Sequence, residues 1–322
     1  MHTQKPPPKI FYFFISRDET RLRAGWRLIL HALIIFFLTL ITGFIAAIVL
    51  IIMGLEFTDP LGGLPKYIEL LITLPPILVG TFIARTVLDH RSIVSLGLRL
   101  NRRLARDLFI GFGISALMMG FIFLLEYLLG WLEIDSVAWN TTSNPEWVIG
   151  VLGGFVYFIV IGFQEELIFR GYQLQNLVES LDLRKGLLIS SLFYSLAHIL
   201  NPFASIQSIL GIFFSGLLLG YGWLRTQQLW LPIGLHVGWN FFEGVLFGFP
   251  VSGTDTFRLI NHTVTGTAFL TGGDFGPEAG LILIPALILG ALLIWLFTRR
   301  DSKMLVEPTL ADELFGPHIQ KE

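Results

Sequence analysis

Three polar groups interrupt apolar runs of this chain, each at helical spacing. In the run FIVIGFQEELIFRGYQ at 158–173, Glu165 and Glu166 stand side by side and Arg170 follows one turn later. In SLFYSLAHIL at 191–200, Tyr194 precedes His198 by four residues. In LWLPIGLHVGWNFFEG at 229–244, His236 precedes Asn240 by four. A charge at the centre of a membrane helix costs ~3 kcal/mol on insertion scales, so such residues face a bundle interior or a wet cavity. Adjacent residues project about 100° apart on a helix, so the two acids cannot do the same work. Glu166 and Arg170 share a face and read as an ion pair, which leaves Glu165 to point elsewhere. A carboxylate, two imidazoles and an amide on three helices are the parts of a hydrolytic site. The acid can deprotonate a water with one His positioning it or moving protons. The other His and the amide can donate hydrogen bonds to an oxyanion.

Taken singly, each residue also has a plain structural reading. A lone intramembrane His is commonly a helix–helix hydrogen bond. His31, Glu69 and Glu126 lie in or near apolar runs away from the three groups and read as interhelical or interfacial groups. Glu243 follows Asn240 by three residues on the same stripe, so it either lines a cavity with Tyr194 or pairs with a neighbouring helix.

The elements that must position these residues are set by composition. Of 322 residues, 53% are hydrophobic and only 14% charged, against roughly a quarter charged in soluble domains. The mean hydropathy is +0.70, and several runs exceed the roughly 18 apolar residues of a membrane span. The sequence therefore predicts an all-α, polytopic membrane helix bundle of about eight transmembrane helices. The spans fall near 25–54, 66–88, 107–132, 146–178, 186–200, 205–224, 232–249 and 279–298, with the fourth long and the fifth short. Pro75-Pro76 should kink the second. With both termini inside, 20 of the 22 Lys and Arg lie on the cytoplasmic side, and only Lys66 and Arg258 lie outside. The domain reading is a cytoplasmic tail at 1–24, a transmembrane bundle at 25–300 and a cytoplasmic tail at 301–322. The basic stretch 89–106 reads as a linker, with an amphipathic character suited to anionic headgroups. No cleavable signal is expected, because the first apolar run is too long for one. The bilayer is the expected environment, that of an integral membrane protein such as one of a bacterial plasma membrane. A net charge of −2 argues against a nucleic-acid partner. With no cysteine, disulfides and thiolate zinc sites are excluded.

Taken together, the three groups resemble the CPBP family, also called the Abi or CAAX-protease family, which includes prenyl-protein endopeptidases of the Rce type. Its Glu-Glu-x-x-x-Arg motif is matched by Glu165, Glu166 and Arg170. Its Phe-x-x-x-His motif is matched at His198, with Tyr194 in the Phe position, and its His-x-x-x-Asn motif by His236 and Asn240. The resemblance covers about 146–248. It implies an intramembrane endopeptidase acting on a protein or peptide substrate, lipidated in the eukaryotic precedent. It makes Glu165 the water-activating carboxylate, His198 its assistant, His236 and Asn240 the oxyanion pocket, and Glu166 and Arg170 supporting residues. Members have been described as metalloproteases. The helical zinc signature His-Glu-x-x-His is missing here, yet Glu165, His198 and His236 would make a His₂Glu zinc set. The metal-free glutamate mechanism is favoured, because Asn240 beside His236 suits an oxyanion donor. A transporter also gathers ionisable groups at mid-membrane, but no internal repeat or paired broken segment is found. A membrane scaffold or immunity protein would not need the acid and both histidines together. Convergence of Glu165, His198, His236 and Asn240 separates these readings.

Overall fold

The computed structural model describes residues 11–15, 21–54 and 64–299. The tail at 301–322 and most of the tail at 1–24 lie outside the described residues. Eight helices follow the eight apolar runs. They are α1 (Ala24–Met53), α2 (Leu64–Ile83, continued by a π-helical turn Ala84–Leu88), α3 (Arg103–Leu128) and α4 (Asn144–Glu166). Next come α5 (Leu183–Leu196), α6 (Ile206–Thr226), α7 (Trp230–Asn240) and α8 (Leu283–Thr298). Among the described residues, five helical segments are long and apolar enough to cross a membrane. Helices α5, α7 and α8 are shorter, with 14, 11 and 16 residues. Pro75 and Pro76 both lie inside α2.

Helix α4 does not end at its acids. A π-helical stretch Leu167–Gln173 and a further helical piece Leu174–Ser180 extend it, giving a helical span of 36 residues over Pro145–Ser180. Helix α7 behaves alike, passing into a π-helical stretch Phe241–Leu246 directly after Asn240. Such π turns are rare and tend to sit at functional sites. The ends of the site-bearing helices are capped locally. The Asp182 side chain accepts from the Lys185 amide at 2.8 Å and starts α5. Ser205 and Ser208 form a reciprocal capping box at the start of α6.

The bundle is built around α7, where Leu231 to Gly238 and Asn240 are all buried. Its backbone approaches α3 closely enough that a Cβ on Gly234 would strike the Leu108 carbonyl oxygen and lie 3.0 Å from the Leu108 Cα. Small residues at helix contacts are how membrane bundles gain packing where hydrophobic driving force is missing. Ser115 of α3 adds a hydrogen bond to the Leu235 carbonyl at 2.6 Å. The linker at 89–106 packs over the start of α7 instead of standing free. Leu96 is fully buried, the Leu229 amide donates to the Gly97 carbonyl at 3.0 Å, and Trp230 Nε1 donates to the Arg99 carbonyl at 2.9 Å.

One feature was not expected of an all-α chain. The segments after α3 and after α7 pair as a two-stranded antiparallel sheet, β1 (Leu132–Val137) with β2 (Ile260–Val264), interrupted by a bulge between Ile134 and Ser136. Each strand is short and lies next to a much stronger helical signal, so periodicity alone does not reveal it. At the opposite end of α4, a buried polar cluster ties three helices together. Asp89 accepts from Arg27 at 2.8 Å, Arg85 at 2.9 Å, Asn176 at 3.2 Å and Tyr172 at 3.3 Å. His31 is interhelical as expected, bonding Thr81 at 3.0 Å. Glu69 is exposed, as an interfacial group would be, whereas Glu126 is fully buried with neither side-chain oxygen hydrogen-bonded, which matches neither the interhelical hydrogen bond nor the interfacial place expected of it.

Candidate active site

Glu165 and Glu166 end the α-helical part of α4, just before its π turn. They diverge as their one-residue offset requires. Glu166 is fully buried; its Oε1 accepts from Arg170 Nη1 at 2.7 Å and from His236 Nδ1 at 2.9 Å. Arg170 also donates to the Gly216 carbonyl of α6 at 3.1 Å and lies 4.3 Å above the Tyr194 ring. The expected ion pair is therefore present, and it reaches a third partner that sequence spacing could not show. His236 lies 70 positions beyond Glu166, and only packing of α7 against α4 joins them.

Glu165 turns toward the histidines. Its Oε2 lies 3.7 Å from His236 Nε2 and 4.0 Å from His198 Nε2, and its side chain keeps 23% exposure. His198 is not within a helix. Helix α5 stops at Leu196, ahead of Asn201-Pro202, and His198 stands in the following turn. His198 Nδ1 contacts the Tyr194 carbonyl at 2.9 Å. A carbonyl only accepts, so Nδ1 carries the proton, and in the neutral ring Nε2 is the basic nitrogen facing Glu165. His236 differs, because both its nitrogens face carboxylates.

Asn240, one turn beyond His236, is buried and lines a small cavity with His236, Tyr194 and Trp239. The cavity has room for water. Glu243 lies farther along α7, fully buried, with neither carboxyl oxygen hydrogen-bonded, and is not among the residues around that cavity. A different acid is: Glu278, from the segment between β2 and α8. Sequence reasoning passed over it. The one available signal was its place beside Asp274 in the Gly-rich stretch GGDFGPEAGLILI at 272–284, which carries no other charge.

The same geometry bears on zinc. Both imidazoles turn Nε2 toward Glu165, as ligands would. However, zinc bonds of ~2.0–2.1 Å at tetrahedral angles place donors about 3.3 Å apart, closer than the distances observed to Glu165. Among the described residues, no group of three or more His, Asp or Glu is arranged to hold a metal ion.

Comparison with known proteins agrees with the motif reading. Residues 146–242 match the family described as Type II CAAX prenyl endopeptidase Rce1-like. No curated protein and no solved structure matches the chain. The matched segment includes Glu165, Glu166, Arg170, Tyr194, His198, His236 and Asn240 and stops short of Glu243 and Glu278. Residues 146–242 of this membrane protein are thus similar to the family described as Type II CAAX prenyl endopeptidase Rce1-like.

Proposed function

We propose that the protein is an intramembrane endopeptidase that hydrolyses peptide bonds of a membrane-associated protein or peptide, with Glu165 as the base that activates water. The observation that carries this reading is the convergence of Glu165 with both imidazoles inside the family-matched segment. Gaps of 3.7 and 4.0 Å are too long for direct hydrogen bonds and are of the length a water bridges. Glu165 takes a proton from that water, and the basic Nε2 of His198 holds it in line. The oxygen adds to the scissile carbonyl carbon. The resulting oxyanion accepts from His236 Nε2 and the Asn240 amide. To donate from Nε2 while Nδ1 faces Glu166, His236 acts as imidazolium, its charge compensated by the Glu166 carboxylate and by the oxyanion itself. Collapse breaks the C–N bond, and the proton held by Glu165 passes to the leaving amine. Arg170 neutralises Glu166 and keeps that carboxylate fixed behind His236.

No metal is needed in this sequence of steps, and the donor spacing supports a metal-free site. The substrate class is a protein or peptide with a lipidated, CAAX-like end, by analogy with the family. The positive-inside pattern supports an N-in, C-in orientation and suits a bacterial plasma membrane. The test uses purified protein in liposomes, together with peptide profiling of cells carrying wild type or Glu165→Ala. Cleavage lost in Glu165→Ala and retained under strong chelators is expected. Stoichiometric zinc that leaves and returns together with activity would overturn the metal-free mechanism. Unchanged peptide profiles would overturn the peptidase itself.

A further inference from the structure

The chain beyond the family-matched segment returns to the site. Glu278 sits on a short 3-10 turn, Pro277–Ala279, between β2 and α8. Its side chain is buried and lines the cavity shared by His236, Asn240 and Tyr194. The backbone is pressed into place: a Cβ on Gly211 of α6 would collide with the Glu278 carbonyl oxygen.

Glu278 is also wired to the turn that carries His198. Its Oε2 accepts a hydrogen bond from Ser252 Oγ. The Ser252 carbonyl accepts from Asn201 Nδ2 at 3.0 Å, and the Asn201 amide donates to the His198 carbonyl at 3.1 Å. Ser252 adopts a φ of 46°, a left-handed conformation unfavourable for a residue other than glycine. Surrounding structure must over-determine such a residue, and these outliers concentrate at functional sites. The Val251–Thr254 bridge and the Gly253 amide, which donates to the Phe275 carbonyl at 2.8 Å, do so here.

We propose that Glu278 is a positioning residue of the site: through Ser252 and Asn201 it fixes the His198 turn against the helix that bears His236 and Asn240. The role rests on the peptidase reading for its consequence in catalysis, but the positioning itself is measurable without turnover. A loop turn has more freedom than a helix, so His198 needs an external brace that His236 does not. Glu278, from the segment between β2 and α8, provides it through its bond to Ser252. The interaction is one of hydrogen bonding and shape, so glutamine, which keeps an acceptor oxygen of the same reach, should replace glutamate.

The experiment compares Glu278→Ala, Glu278→Gln and Ser252→Ala in liposomes. Ser252→Ala removes one hydroxyl and guards against a Glu278→Ala variant that fails to fold. Glu278→Ala and Ser252→Ala should lower kcat by about tenfold or more with KM within about threefold, while Glu278→Gln restores kcat to within about threefold of wild type. A second readout uses His198→Cys as the only thiol in the chain. Its labelling should quicken by about fivefold or more when Glu278→Ala or Ser252→Ala is added, and stay unchanged with Glu278→Gln. Equal labelling rates in all backgrounds, or a glutamine variant as damaged as alanine, would overturn the positioning role. Wild type that cleaves nothing, while labelling still quickens, would sink the peptidase reading and leave the brace standing.

Discussion

Arg170→Ala tests the buried pair on which the site rests. Arg170 is 2% exposed and Glu166 is fully buried. The substitution removes a 2.7 Å charge-assisted bond to Glu166, a 3.1 Å bond to the Gly216 carbonyl and the stacking over Tyr194. Breaking one side of a buried ion pair typically costs ~3–5 kcal/mol, chiefly because the other charge is left uncompensated. The lost cation–π contact adds about 0.5–2 kcal/mol. That is a large part of a total stability of about 5–15 kcal/mol. At roughly 2–4 °C per kcal/mol for a chain of this order of size, the unfolding temperature should fall by about 7–28 °C. Thermal unfolding of the purified protein in detergent reads this directly. The double variant Glu166→Gln/Arg170→Met should recover much of the loss, since removing both charges leaves no orphan. Activity should not recover with it, because His236 loses its carboxylate partner. An Arg170→Ala protein with normal yield and an unfolding temperature within about 2 °C of wild type would refute the structural role of the pair.

Other consequences follow from the same structure. Gly234→Ala places a methyl group against the Leu108 carbonyl where α7 crosses α3, so the helices must part. A loss of about 1–3 kcal/mol and a lower folded yield are expected, and an unchanged unfolding temperature would count against the close crossing. His262 on β2, in a segment outside the spanning helices, is depressed from 6.5 to about 4, first by burial and then by the Arg258 charge. The unfolded chain therefore takes up this proton first as pH falls, and stability present above about 6.5 is lost toward about 4, by up to about 3 kcal/mol. The wild-type unfolding temperature should fall more steeply than that of His262→Phe across this window; parallel curves would reject the assignment. Finally, a thiol at position 165 should react with a membrane-impermeant reagent from the cytoplasmic side, the side to which the positive-inside rule assigns the basic loops. Labelling confined to the outside would reverse the orientation.

Much of this molecule is written locally. Apolar run length dictates the helices, because a bilayer leaves backbone groups no partner except one another. Spacing of four within a helix dictates the Glu166–Arg170 pair, and the three motifs together mark the residues that face one another. Four matters belong to tertiary structure alone. The contact of Glu166 with His236 arises because α7 packs against α4, and no pattern within either helix encodes its neighbour. His198 stands in a turn rather than a helix, since the stop at Leu196 comes well inside the apolar run that suggested a longer span. The β1–β2 pairing joins strands more than a hundred residues apart, each too short to register against the helices beside it. Glu278 enters the site from a Gly-rich segment with no periodicity to place it. Its position is set by backbone contacts with α6 and by the strained Ser252, which only the folded chain brings together.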